Sequence, residues 1–251
     1  MSQSGPGKIV LFDDFTGGEE ILVAATTAPP MTVGNGTFSL VGQGLAETDS
    51  GAIFLDSDGL NGVLQLTTTD EDIHAVGLQT PIMFDVGLMG TIVAEARVRQ
   101  AAITTGEFFF GFSDVQTDLA IIEGAIAHAA TTTLTLTASD ICGFISAPEL
   151  TAAAEVHAIF NGGATTGVTD STLNELSVNW VAGEYLVLRM EIDTNGTCRW
   201  YVNGVLKKTV EGAVSTSVDL CCSLIIESKT TAVKTLDVDY VLAKANRDWT
   251  V

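Results

Sequence analysis

The chain has 251 residues, of which 31 are Asp or Glu and 11 are Lys or Arg, giving a formal charge of -20. So acidic a chain is repelled by nucleic acid and by anionic membrane surfaces, and neither is expected as a partner. No apolar run approaches the roughly 18 residues of a membrane helix, and MSQSGPGKIVLFDDF lacks the basic-then-apolar order of a secretory signal, so synthesis and retention in a cytosol are expected.

Lys8 to Phe15, KIVLFDDF, reads as a strand closed by an acidic turn. Residues 1–8 are read as a flexible N-terminal arm, because SQSGPG cannot pack unaided. Residues 9–251 then form a single β-sandwich domain with a short C-terminal tail, since the 5 prolines and the lack of a Ser/Pro-rich or charged linker offer no boundary. Thr37 to Val41 and Gly51 to Leu55 are short strands between glycines. Asn61 to Thr69 alternates apolar and polar residues and runs into the acidic turn Asp70-Glu71-Asp72. Thr91 to Gln100 sets Ile92, Ala94, Ala96 and Val98 on one face and Glu95, Arg97 and Arg99 on the other. Glu107 to Phe112 is almost wholly apolar, the pattern of a central strand covered on both faces. Leu119 to Ala130 fits a strand or a short helix, and Pro148 to Ala154 a helical turn. Leu134 to Thr137, Cys142 to Ser146, Val156 to Asn161, Val205 to Val210, Leu220 to Glu227 and Lys234 to Ala243 complete about a dozen strands, and the fold class is all-β.

Gly183 to Gly204 allows a register to be derived. Leu186, Leu188, Met190 and Ile192 alternate with Val187, Arg189 and Glu191; on the return, Cys198, Trp200 and Val202 alternate with Arg199, Tyr201 and Asn203. A two-residue Asn195-Gly196 loop would set Ile192 against Arg199. A three-residue loop, Thr194-Asn195-Gly196 with a left-handed Gly196, pairs Ile192 with Cys198, Met190 with Trp200 and Leu188 with Val202, and sets Glu191 opposite Arg199. The second register keeps the faces unmixed and is adopted.

Four cysteines, Cys142, Cys198, Cys221 and Cys222, include no Cys-x-x-Cys pair and read as buried thiols. Glu191-Ile192-Asp193 begins an E-x-D-x-x-E glycosidase pattern, but the third position is Gly196. Asp56-Ser57-Asp58-Gly59 begins a calcium loop, yet the twelfth position is Thr67. His74, His128 and His157 have no metal-site spacing, and no G-x-S-x-G elbow or phosphate loop is present, so neither catalysis nor a cofactor is expected. Asp237 and Asp239 share a face of the last strand, opposite Leu236, Val238 and Tyr240, as either a solvated face or a charged contact with a neighbouring subunit. Trp200 falls in the core; Trp180 precedes a strand, and Trp249 in ANRDWTV either folds back or anchors a partner.

Trp180 to Gly204, with its W-x-x-G-E-Y-x-x-L-R opening and W-Y-V-N-G close, resembles the concanavalin A-like lectin and glucanase superfamily, laminin-G-like members included. That resemblance implies a two-sheet antiparallel jelly-roll sandwich whose first and last strands, here Leu11 to Phe15 and Leu236 to Val241, lie together. Calcium held by scattered loop carboxylates, with Asp56, Asp58, Asp70 and Asp72 as contributors, belongs to the same resemblance. FFFGFSD at Phe108 to Asp114, CGFIS at Cys142 to Ser146 and the hairpin also look like virion structural proteins of tailed bacteriophages. This second resemblance implies a non-enzymatic capsid decoration (cement) protein. It would be a homotrimer bound to the major capsid protein on the outer capsid surface, made in the bacterial host cytoplasm. Trp249, Asp237 and Asp239, with the N-terminal arm, are the candidate partner contacts. The alternative is a lectin-like carbohydrate-binding module of a tail fibre or cell surface.

Overall fold

The computed structural model describes residues 7–16, 31–33, 37–42, 51–54, 62–116, 122 and 126–247, without the side chains at 31–33, 51–54 and 128. Their regular structure is strand, with a 3-10 turn at Ser171–Leu173 and π-helical positions at Ile122 and Ile126. One sheet has eight strands: β1 (Lys8–Asp13), β4 (Gly51–Phe54), β5 (Leu64–Thr67), β8 (Ile92–Gln100), β15 (Tyr185–Ile192), β16 (Cys198–Val202), β17 (Val205–Val210) and β19 (Thr235–Asn246). Their order is β17-β16-β15-β8-β19-β5-β4, with β1 also on β19. The other has nine: β2 (Met31–Val33), β3 (Phe38–Val41), β6 (His74–Gln79), β7 (Phe84–Asp85), β9 (Gly106–Ser113), β12 (Ile141–Ser146), β13 (Glu155–Asn161), β14 (Glu175–Asn179) and β18 (Asp219–Ser228). A separate hairpin joins β10 (Ala127–Ala130) to β11 (Thr133–Leu136).

The two sheets pack face to face because the central strands of the first, β8, β15 and β16, alternate. Leu188, Met190, Ile192, Trp200, Ala94 and Val98 point inward and meet Phe108, Phe110, Phe112, Phe144 and Phe160 of the second. Each fully buried side chain of this kind contributes roughly 1.5–3 kcal/mol. Trp200 also ties the layers together, its Nε1–H donating to the carbonyl of Gly143 at 2.7 Å.

β9 is buried along its whole length, as its apolar run predicts. Its second face packs in a smaller core outside the sandwich: Phe109, Ile145, Ile159 and Ile225 lie under Ile122, Ile126, Ala129 and Leu134. The β10–β11 hairpin thus belongs to a roof over the nine-stranded sheet.

The derived hairpin register holds at every pair, from Ile192 with Cys198 to Leu188 with Val202. Asp193 and Thr197 close the loop by a 2.9 Å bond, and Gly196 has φ +76°, the left-handed conformation that favours glycine. β1 pairs with β19, so the first and last strands do lie together.

Several readings are corrected. Lys8, read both as the end of the arm and as the start of a strand, is the first residue of β1, opposite Asn246. Pro148 to Ala154 forms turns with no helix; of Leu119 to Ala130, which fits strand or helix, Ala127–Ala130 is strand and the described positions before it, Ile122 and Ile126, are helical. β2, β6, β7 and β14 were not anticipated. Trp180 is buried, edge-on to Phe108 at 5.0 Å between centroids. β19 carries a bulge: Val238 pairs with Val98 but Tyr240 with Arg97, leaving Asp239 as the extra residue. Leu236 and Val238 are inward before it and Val241, Ala243 and Ala245 after it, so Tyr240 faces outward with the aspartates. The four cysteines are buried free thiols.

Candidate binding face

The same alternation that builds the core sends a second set of side chains to the outer face of the eight-stranded sheet, and the registers align them in rows. One row runs Gln65, Asp237, Arg99, Tyr185 across four strands, and the next places Tyr240, Arg97 and Val187 side by side. A third runs Phe12, Leu242, Glu95, Arg189, Tyr201, Leu206, and a fourth Val10, Lys244, Val93, Glu191, Arg199. All 3 tyrosines of the chain and four of its five arginines stand on this one face.

Their geometry is fixed by charge-assisted bonds. Arg99 reaches Asp237 through Nε at 2.9 Å and Nη2 at 2.5 Å, while Gln65 donates to the other oxygen at 2.8 Å. Arg97 donates to Asp239 at 2.7 Å. Arg189 bridges Glu191 at 2.6 Å and Glu95 at 3.0 Å. Arg199 takes Asp193 at 2.6 Å, holding that carboxyl below its ordinary range. The hydroxyls of Tyr240 and Tyr201 donate to Glu95 at 2.9 Å and Glu191 at 3.3 Å. Burial, then the bond to Glu95, pushes the Tyr240 phenol up. The Arg97 and Arg99 guanidinium carbons lie 4.1 and 4.8 Å from the Tyr185 ring centroid. Five carboxylates on this face therefore meet four arginines, with Lys244 at its margin, and the negative charge of the chain lies elsewhere.

Asp237 and Asp239 are thus neither free nor merely solvated: each is an arginine partner, and a binding partner meets them as neutral pairs. Trp249, the third candidate contact, lies outside the described residues, as do Asp56 and Asp58. Asp70 and Asp72 are exposed in a turn, and the described residues include no group of three His, Cys, Asp or Glu arranged to hold a metal. Glu191, expected to pair with Arg199 opposite, bonds instead to Arg189 on its own strand, while Arg199 turns to Asp193. Tyr185 and Tyr201 share the polar phase of strands that carry Arg189 and Arg199, a signal visible in the sequence, whereas Tyr240, read opposite Asp237 and Asp239, is brought to this face by the bulge.

A second charged cluster lies on the other sheet. Glu107 and Glu227 are cross-strand neighbours, both fully buried, with Lys229 Nζ 3.4 Å from each and 3.1 Å from Glu149. Burial first, then the charge of Glu227, raises the Glu107 carboxyl well above its usual range. Glu227 also accepts the Ile122 backbone N–H at 2.8 Å, so this cluster lies under the roof.

No protein-family model matches the chain, and a search of curated proteins likewise returns no match. Among solved structures, a protein of unknown function from Shewanella oneidensis MR-1 superposes with a TM-score of 0.65 at 10% identity, covering 100% of this chain and 92% of that one. Peanut lectin, in a complex with a nine-residue peptide, gives a TM-score of 0.55 at 11% identity, covering 95% and 97%. At such identities the likeness establishes architecture alone. The chain is a concanavalin A-like antiparallel sandwich.

Proposed function

We propose that this protein is a non-enzymatic binding module that holds a carbohydrate against the open face of its eight-stranded sheet. The observation that carries the reading is the gathering of every tyrosine and four of five arginines on that face, already locked by ion pairs. A sugar offers apolar C–H patches and directional hydroxyls; aromatic rings suit the first and guanidinium–carboxylate pairs the second. Groups ordered in advance lose little freedom on binding. Peanut lectin is built on the same sandwich, which supports the reading. On a glycan array the wild-type chain is expected to retain a defined subset of saccharides, and Tyr201→Ala to lose them. Retention of none, or equal retention by the variant, would remove the face from the model.

A second reading has its own support. Tyrosine and arginine also dominate the centres of protein–protein interfaces, so the face suits a protein partner as well, and under this reading we propose a capsid decoration protein, homotrimeric on the outer capsid surface and made in the host cytoplasm. Mass spectrometry of density-gradient particles tests it: recovery in stoichiometric amounts with a major capsid protein is expected, and absence from the particle band defeats it.

A further inference from the structure

At one end of the open face lies a pocket of about 280 Å³ lined by Lys8, Val10, Thr91, Val93, Lys244 and Asn246, among others. The registers explain its make-up. Lys8 sits beside Asn246, and Lys244 stands between Val10 and Val93. Thr91 and Val93 come from β8 and the residue before it, in the same outward phase as Glu95. Asn246 is held down by close packing: a Cβ at Gly90, whose φ is +70°, would stand 2.4 Å from its side-chain nitrogen.

The charges of this pocket differ from those of the rest of the face. Each arginine along the rows has a carboxylate partner, whereas neither Lys8 nor Lys244 has one among the described residues. The nearest carboxylates by register, Glu191 and Asp193, are committed to Arg189 and Arg199, and the Thr91 hydroxyl donates to Asp193 at 3.3 Å. Among the described residues, two ammonium groups thus stand in one cavity without a carboxylate partner. The overall charge of -20 does not cancel them, because exposed charges beyond about 8–10 Å are largely screened at physiological salt.

We propose that this pocket binds an oxyanion group, a carboxylate or a sulfate, with Lys8 and Lys244 as its charge partners. Val10 and Val93 line the pocket between the two lysines, and the Thr91 hydroxyl and Asn246 amide flank the site. The anion is either a free ion or the acidic substituent of a saccharide lying along the rows. The site does not depend on the carbohydrate reading above, but under that reading it selects acidic sugars.

The test is a titration of the full chain, ¹⁵N-labelled, with sodium sulfate against sodium chloride at equal ionic strength, and with trigalacturonate against its methyl ester. Sulfate is expected to give saturable amide shifts at residues 8–10, 91–93 and 244–246, with a Kd on the order of millimolar. Chloride should give none, and the double variant Lys8→Gln, Lys244→Gln should lose the sulfate response with its melting temperature unmoved. Trigalacturonate binding at least about tenfold tighter than both sulfate and the ester assigns the anion to a saccharide. Equal affinity for trigalacturonate and sulfate assigns it to a free ion. Shifts that never saturate, or saturation that persists in the double variant, would overturn the proposal. Binding of the ester as tight as that of the acid, without a sulfate response, would overturn it too and leave the carbohydrate reading standing.

Discussion

The two sheets of this sandwich share an inner core but have opposite outer faces. Outside the nine-stranded sheet, Phe109, Ile145, Ile159 and Ile225 are covered by the segment that contains the β10–β11 hairpin. Outside the eight-stranded sheet, rings and ion pairs stay open to a partner. Covering one face with apolar residues adds to stability, while leaving the other polar keeps it soluble in the absence of a ligand. The stabilising contacts and the recognition contacts are therefore segregated, so substitutions on the two faces should fail in different ways.

The largest effect belongs to the roofed face. Phe109→Ala removes a fully buried ring and is expected to cost about 3–5 kcal/mol, seen as a lower urea midpoint with an unchanged slope. A loss under about 1 kcal/mol would mean that the roof is not packed on the sheet. Glu107→Gln, under the same roof, is expected to act in the opposite direction. A carboxyl raised above its ordinary 4.5 favours the folded state below that pH, and the contribution disappears as pH rises toward the folded value. The amide should therefore stabilise the fold near neutral pH and change little below about pH 4. Thermal melts across that range decide it, and destabilisation at neutral pH would show that Lys229 needs the Glu107 charge. On the open face, Tyr185→Ala takes away the ring beneath Arg97 and Arg99. It should alter stability by less than about 1 kcal/mol yet weaken partner capture at least about tenfold. A stability loss as large as that of Phe109→Ala would erase the distinction between the faces.

The β15–β16 hairpin is legible in the sequence because alternation and a turn glycine specify the same register independently. β9 is legible as a strand buried on both sides, though what covers its outer side is not. β6 was missed for a physical reason: His74–Gln79 is buried along most of its length, so it has no alternation to detect, and Gly77 interrupts its apolar run. That glycine is there because a Cβ would meet the Leu224 carbonyl at 2.5 Å. The binding face was legible only in fragments. Glu95, Arg97 and Arg99 were visibly on one side of a strand, as were Arg189 and Glu191, but which strands become neighbours is a matter of topology that no local pattern carries. The partnership of Asp237 with Arg99 joins residues 138 positions apart.

The bulge at Asp239 acts as a frame shift within the last strand. Up to Val238 the even-numbered residues are inward; beyond Asp239 the odd-numbered ones are. Were Asp239 paired as an ordinary strand residue, unbroken alternation would turn Tyr240, Leu242 and Lys244 toward the core and expel Val241 and Ala243. One phenol of the recognition face and one lysine of the pocket thus owe their outward address to Asp239 standing unpaired in the ladder. The unpaired residue is as much a part of the site as any ring or charge, since the same letters without the bulge would present a different surface.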